Sequence, residues 1–216
     1  MKTRRDVARE CARDTGASDT PRRSREALQN FSCHDAVAVS RFAPAPLINA
    51  RRMPGWIEPL GAALARAEAF RGCTLRAARP EDCEFLFALH RSAMRDYVEA
   101  TWGWDDAWQR RHFEQTYAPS RHAVVVRNGA QPRDIGRLSL TRHWRKIFLR
   151  DIELLAEERN RGLGAALIGA LLEQARGEGR AVELIVLKCN PAQRLYQRLG
   201  FRVTVDDGDR LTMRAK

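Results

Sequence analysis

The stretch EERNRGLGAALI, residues 157–168, decides how the rest of the chain is interpreted. Two arginines and an asparagine come directly before Gly162 and Gly164, and the glycines open an apolar run. A glycine-rich turn at a helix N-terminus presents unpaired backbone N–H groups and the positive end of the helix dipole, which together attract an anion. Arg159 and Arg161 add positive charge. The stretch therefore predicts either a phosphate-binding turn or a helix start whose glycines allow close packing on a sheet.

Two familiar phosphate-binding motifs do not fit this stretch. It has no GxxxxGK[ST] lysine, and no GxGxxG pattern is followed by an acidic residue about 20 positions later. The sequence therefore points away from P-loop and dinucleotide-binding proteins, and a different phosphate-containing ligand is expected.

The apolar periodicity from residue 73 onward predicts an α/β (α+β) fold with a mixed central sheet. CTLRAA alternates as a strand does, and two helical stripes follow before the strands HAVVV, IGRLSL and KIFLRDIELL. After the glycine turn come a helix, the nearly continuous apolar strand AVELIVL, a short helix from Asn190 to Gly200, and a hairpin that turns at Asp207 and Gly208. The predicted order is β-α-α-β-β-β-α-β-α-β-β.

The chain changes character near Cys73. We expect residues 1–72 to form a basic N-terminal extension, disordered or partly helical, and residues 73–216 to form the folded domain. One short helix is predicted in the extension, because four apolar residues share a face: Ile57, Leu60, Leu64 and Phe70. Deleting residues 1–71 is expected to leave the domain intact.

Composition indicates a soluble, cytoplasmic protein. No apolar run has a length near the roughly 18 residues needed to span a bilayer, and the N-terminus lacks the apolar segment of a secretory signal. The formal charge is +11, but acidic residues are interspersed along the chain, so nucleic-acid binding is not favoured. We expect neither a nucleic acid nor a membrane as a partner, and homodimerisation is left open.

The residues that commonly bind metals do not form a metal-binding pattern. The five cysteines have neither paired spacing nor a CxxC motif. His90, His112, His122 and His143 are dispersed, so each is expected at the surface or in the core. No metal and no disulfide framework are predicted.

Two motifs together resemble those of the GNAT superfamily of acyl-CoA-dependent N-acetyltransferases. RNRGLG, residues 159–164, matches the family pattern [RQ]xxGx[GA], and NPAQRLYQRLGF, residues 190–201, is similar to the family's C-terminal motif. The predicted order of elements agrees with this fold from residue 73 to residue 216.

The resemblance implies that acetyl-CoA is the co-substrate. The glycine turn would hold the pyrophosphate of coenzyme A, and the strand DIELL would splay from ELIVL so that the pantetheine arm lies between them. Asn190 also precedes a proline, where asparagine is an ordinary helix cap. The implied cofactor-binding residues are Ile152, Glu153, Leu154, Arg159, Asn160, Arg161, Gly162, Leu163, Gly164, Ala165 and Asn190.

Acetyl transfer to an amine needs a neutral nucleophile, a donor to the oxyanion and a proton for the departing thiolate. Tyr196 is the candidate acid, although it also fits an apolar helical stripe. Ile152 is the first candidate to stabilise the oxyanion through its backbone N–H. Glu153 is the candidate base or water-positioning group, the alternative being an ion pair with an arginine on the neighbouring strand. Cys189 would be acylated in a two-step mechanism, but a structural thiol is favoured.

An aromatic segment between the first two predicted helices is the candidate acceptor site. It reads RDYVEATWGWDDAW, and an aromatic wall with one carboxylate can hold a cationic amine. Helical spacing also allows a core position for the tyrosine. The predicted substrate-binding residues are Tyr97, Glu99, Trp102 and Trp104.

These features predict an N-acetyltransferase that moves an acetyl group from acetyl-CoA to a primary amine of a small molecule or peptide. Direct attack in a ternary complex is implied by the resemblance. The alternative is a non-catalytic acyl-CoA-binding regulatory module on the same fold.

Overall fold

The computed structural model describes residues 55–216, which form a seven-stranded sheet and five α-helices. The helices are α1 (Ile57–Leu64), α2 (Cys83–Thr101), α3 (Asp106–Thr116), α4 (Leu163–Gly177) and α5 (Ala192–Arg198). The strands are β1 (Cys73–Ala77), β2 (His122–Arg127), β3 (Arg133–Arg142), β4 (Lys146–Leu154), β5 (Ala181–Leu187), β6 (Arg202–Asp207) and β7 (Arg210–Ala215). From β1 onward the predicted order of elements is confirmed.

The sheet is mixed and runs in the order β1-β2-β3-β4-β5-β7-β6. Neighbouring strands are antiparallel except for β4 and β5, which are parallel. That parallel pairing covers residues 146–149 and 181–184, so the C-terminal halves of the two strands are not paired with each other. The splayed strands expected from the resemblance are therefore present.

A β-bulge in β4 lies at the point where the two strands separate. Ser139 of β3 pairs with Asp151, whereas Leu140 pairs with Leu149, so Arg150 is the extra residue. A bulge bends its strand and increases the local twist. It therefore accounts physically for the departure of β4 from β5 and for the direction that the following residues take.

The larger apolar core joins one face of the sheet to α1 and α4. Helix α4 buries its stripe of leucines and isoleucine, with Leu163, Leu167, Ile168 and Leu171 at most 1% exposed. Burying each such side chain contributes about 1.5–3 kcal/mol. This packing holds the first turn of α4, and with it the preceding glycine turn, against the sheet.

The predicted helix near residue 57 is present and belongs to this core. Ile57, Leu60, Leu64 and Phe70 are at most 3% exposed and lie in the same apolar cluster as α4. We therefore propose that the folded unit includes residues 55–72, and this proposal opposes the expectation that a deletion up to residue 71 leaves folding intact. Residues 1–54 of the predicted extension lie outside the described residues.

A smaller core lies between the opposite face of the sheet and the helices α2 and α3. It contains Leu86 and Phe87 of α2, Phe113 of α3, and Val124 and Val126 of β2. The two helices thereby cover the sheet beside the splayed strands. None of the helices between residues 55 and 216 combines the length and the apolar character that a membrane crossing requires.

Candidate active site

The glycine turn before α4 presents a row of unpaired backbone donors. Asn160 and Gly162 have φ values of 60° and 82°, which turn the backbone through the left-handed region. Within residues 55–216, the amides of residues 160–165 donate to no backbone acceptor. Unpaired amides at a helix N-terminus bind anions. The turn thus has the local structure that its sequence predicted.

Gly162 is required by both backbone conformation and space. Its positive φ disfavours any residue with a side chain, and an added Cβ would lie 3.0 Å from the Cβ of Ala69. At Gly164 an added Cβ would lie 3.5 Å from Leu195 Cδ2, which is ordinary van der Waals contact. The demand for glycine is therefore strongest at Gly162.

Arg159 links the end of β4 to the turn. Its Nε donates to the carbonyl oxygen of Leu154 over 2.9 Å, and its Nη2 is buried without a hydrogen-bond partner among the described residues. Arg161 is exposed and pairs with Glu158, which also pairs with Arg127. Arg159 therefore keeps a donor that an anion in the turn can use.

A cleft of about 810 Å³ opens where β4 and β5 separate. It brings together residues from three parts of the chain: His90 of α2; Asp151, Ile152 and Glu153 of β4; and Asn190 and Tyr196 at α5. Leu154, by contrast, is buried in the larger core. The cleft thus brings together the predicted residues Ile152, Glu153, Asn190 and Tyr196 with His90, for which the sequence predicted no role in the chemistry.

Glu153 lies in a buried network of charged side chains. Its Oε2 accepts from Arg137 Nε over 2.7 Å, and its Oε1 lies 2.8 Å from His90 Nδ1. Arg137 is the partner of Glu153 across the β3–β4 ladder and is fully buried. The structure therefore contains the cross-strand ion pair that the sequence offered as the alternative to a free base.

The network keeps Glu153 ionised. Burial raises the pKa of Glu153, but the charge of Arg137 and the interaction with His90 outweigh it, so the net pKa is lowered. A carboxylate with a lowered pKa is a weak proton acceptor. Glu153 is therefore better suited to orienting His90 than to removing a proton from a substrate itself.

Three side chains in the cleft could also serve as metal ligands. His90, Asp151 and Glu153 offer ligand atoms that all lie within 4.8 Å of one another. The guanidinium of Arg137 already bonds Glu153 and lies 3.2 Å from Asp151 Oδ1. A cation would have to compete with this guanidinium, and the absence of a metal stays a prediction that a metal titration tests.

Tyr196 lies both in the apolar core and at the cleft, so its position fits the apolar stripe as well as the candidate acid of the sequence analysis. It is 8% exposed within the larger core, and it also lines the cleft. Burial, followed by the negative charges of Asp151 and Glu153, raises the pKa of Tyr196 well above its ordinary value. The phenol therefore stays protonated and is available as a hydrogen-bond donor, whereas proton transfer from it would need a nearby positive charge or hydrogen bond to stabilise the phenolate.

Asn190 caps α5 and lines the cleft as well. Its Oδ1 accepts from the backbone N–H of Ala192 over 2.9 Å. The capping interaction is thus present, and contact with a cofactor stays a prediction. Nearby Cys189 is buried, with its sulfur 3.5 Å from Thr101 Oγ1.

The predicted acceptor segment is held by hydrogen bonds around the end of α2. Trp102 Nε1 donates to Asp209, while the backbone N–H of Trp104 donates to Glu99 over 3.1 Å. Tyr97 and both tryptophans pack against a small cluster around Val98. The ring of Trp104 lies 6.1 Å from that of His90, so this residue borders the buried network.

Sequence reasoning missed Arg137, His90 and Arg150. His90 follows Leu86 by one helical turn, so its place on an apolar stripe was a usable signal. Arg137 could be found only by pairing β3 with β4 in the correct register. The position of Arg150 depends on the bulge in β4. The bulge shifts the register between β3 and β4, and no local pattern in the sequence indicates it.

Comparison with known proteins identifies the class. Residues 85–201, more than half of the chain, match the acetyltransferase (GNAT) family model. The chain therefore belongs to the GNAT acetyltransferase family, as its two motifs suggested.

Solved structures support the same fold. The PaiA N-acetyltransferase of Thermoplasma acidophilum, solved in complex with coenzyme A, has a TM-score of 0.54 and 18% identity, over 67% of this chain and 98% of that one. PH1933 of Pyrococcus horikoshii OT3 has a TM-score of 0.52 and 16% identity, with the same coverage. A comparison with curated proteins finds no match. At these identities the likeness shows the fold alone.

Proposed function

We propose that the protein transfers an acetyl group from acetyl-CoA to a primary amine of a small molecule or peptide. The observation that carries this proposal is the cleft between β4 and β5, which brings Tyr196 and the His90–Glu153 pair together beside the strand that precedes the glycine turn. A phosphate-binding turn and a proton-transfer network near the C-terminal end of the same strand suit a phosphorylated thioester and an amine.

In this proposal the cofactor is held mainly by backbone groups. The free amides of residues 160–165 and the spare donor of Arg159 bind the pyrophosphate. The backbone of residues 152–154 faces the pantetheine arm, since β4 has no β5 partner there. The coenzyme A complex of the Thermoplasma relative supports this assignment.

The proposed chemistry is direct attack within a ternary complex. The amine gives up a proton to His90, whose imidazole Glu153 orients, and its nitrogen bonds to the acetyl carbon. The backbone N–H of Ile152 stabilises the oxyanion, in line with the family resemblance. As the carbon–sulfur bond breaks, Tyr196 donates its proton to the thiolate.

The acceptor is proposed to enter past the aromatic segment. Trp104 borders His90, and the other predicted residues, Tyr97, Glu99 and Trp102, lie on the same segment. An aromatic ring beside a cationic amine contributes about 0.5–2 kcal/mol.

The test is release of free coenzyme A thiol with a panel of primary amines, accompanied by mass spectrometry of the products. We expect thiol release above the amine-free rate and an acetylated amine. Tight acetyl-CoA binding without acetylation of any amine would instead favour a non-catalytic acyl-CoA-binding module.

A further inference from the structure

Arg150 is a half-buried arginine whose charge nothing in the described chain neutralises directly. It is the bulged residue of β4 and lines the cleft between β4 and β5. It also lines a small recess beside Phe113 and Tyr117. Among the side chains of residues 55–216, none forms a hydrogen bond or an ion pair with its guanidinium.

The other arginines of similar burial show how unusual this is. Within the described part of the chain, buried and half-buried arginines have an acidic partner, with two exceptions, Arg150 and Arg159. Arg159 belongs to the turn proposed to bind pyrophosphate. The proposed cofactor site thus accounts for one exception and leaves Arg150 unexplained.

The surroundings of Arg150 have an excess of positive charge. The pKa of Arg150 is lowered, mainly because burial disfavours the charged form. The negative charge of Asp151 raises this pKa, and the positive charges of Arg121 and Arg137 lower it further. Asp151 is shared with Arg137, and Glu153 is also bonded to Arg137. A half-buried cation in such surroundings is stabilised by an anion that the chain itself does not supply.

A second guanidinium points to the same ligand chemistry. Arg210 of β7 also lines the cleft; it pairs with Asp207 through Nη2, while its Nη1 is buried without a partner in the described structure. Across the same cleft lie the acidic groups of Asp151 and Glu153. A cleft with both signs of charge suits a zwitterion.

We propose that Arg150 binds a carboxylate of the acceptor, so that the acceptor is an amino carboxylate such as a free amino acid. This inference rests on the proposed acetyl transfer. The amine lies toward His90 and Glu153, and the carboxylate lies against Arg150. Of the two arginines that line the cleft, Arg150 is the one without an acidic partner, so a single negative charge matches it and favours a carboxylate over a phosphate dianion.

The experiment compares standard amino acids with their carboxamides, which keep the amine and lose the negative charge. We expect kcat/KM of the wild type to favour the preferred amino acid over its carboxamide by about 10- to 100-fold, the value of a charge-assisted hydrogen bond. Arg150→Gln should abolish this preference, because kcat/KM should fall far more for the amino acid than for the carboxamide, while the KM for acetyl-CoA should not rise. Arg150→Lys should retain part of it.

Arg145→Gln is the matched control, because it removes the same charge from an exposed position just before β4. It should keep the preference. Equal kcat/KM for acids and carboxamides, or a preference that survives Arg150→Gln, would overturn the inference while leaving acetyl transfer intact. A rise in the acetyl-CoA KM with Arg150→Gln would also overturn it, by assigning Arg150 to the cofactor.

Calorimetry separates failure of this inference from failure of the proposed function. If no amine is acetylated, amino acids and their carboxamides are titrated into the protein saturated with coenzyme A. Preferential binding of an amino acid, lost in Arg150→Gln, supports the carboxylate site without catalysis. Equal or absent binding of both overturns it.

Discussion

The glycine turn, here called the cofactor end, and the charged network of the cleft, here called the acceptor end, are built from different parts of the chain. At the cofactor end, a run of six residues, 160–165, supplies adjacent backbone amides, and Gly162 sets their geometry. At the acceptor end, the charged network joins side chains from α2, β3 and β4 that are far apart in sequence. One end is thus local and made mostly of backbone, and the other is assembled by the fold.

This difference decides how each end tolerates substitution. Backbone donors survive most side-chain changes but fail when a glycine with positive φ is replaced. A buried network fails when any member is removed, because the remaining partner is left without compensation. The predictions below separate the two ends, beginning with a change that should damage both.

The largest effect is expected from removing α1. A chain lacking residues 1–71 loses five buried apolar side chains of the core shared with α4, worth about 1.5–3 kcal/mol each and together comparable with the whole stability of a domain. It should lose its cooperative melting transition. A chain lacking residues 1–54 is the control and should melt near the full-length temperature; similar melting of both truncations would refute the role of α1.

Tyr196→Phe should affect chemistry alone. Phenylalanine keeps the ring in the core but removes the hydroxyl, so kcat should fall by about 10²- to 10⁴-fold. Acetyl-CoA affinity and melting temperature should stay near those of the wild type. Full kcat, measured where chemistry limits turnover, would remove Tyr196 from proton transfer.

Gly162→Asp should affect the cofactor end alone. The substitution forces a side chain into φ 82° and places a negative charge where phosphate binds, so calorimetric affinity for acetyl-CoA should fall by about 10- to 100-fold. Gly164→Ala is the matched control, since its added methyl meets Leu195 at an ordinary distance. Unchanged affinity in folded Gly162→Asp protein would contradict the site.

The smallest effect is expected at the aromatic segment. Trp104→Ala should raise the acceptor KM by about 2- to 30-fold, the range of one cation–π contact, with little change in the acetyl-CoA KM. Trp108→Ala is the control, because Trp108 stacks on His112 with ring centroids 4.9 Å apart. If Trp104→Ala raises both KM values equally, Trp104 serves packing rather than recognition.

Local patterns predicted the fold well. The element order, the helix near residue 57 and the splayed strands follow from apolar periodicity, turn residues and two family motifs. The domain boundary was predicted at residue 73 because the composition changes there. Composition does not indicate that α1, which lies before this boundary, packs in the core of the domain. Cytoplasmic location and oligomeric state stay predictions.

The acceptor end was harder to predict because its members are distant in sequence. The motif position of Glu153 predicted a base or a water-positioning group. Because Arg137 and His90 bond to Glu153, the proposed role is instead to orient His90. A pKa depends on neighbours in space, so a strand carboxylate can be a base or an ion-pair partner with the same local sequence. The bulge at Arg150 similarly arises from pairing between strands.

The most direct test of the account follows acetyl-CoA, the acceptor amine and the protein itself through one turnover. Protein premixed with acetyl-CoA is mixed rapidly with buffer or with a productive amine, and free thiol, acetylated amine and intact-protein mass are measured together. Direct transfer predicts no thiol and no protein acetylation without amine, and equal amounts of thiol and acetylated amine with it. Thiol release in buffer accompanied by acetylation of the protein, at Cys189 or elsewhere, would contradict it.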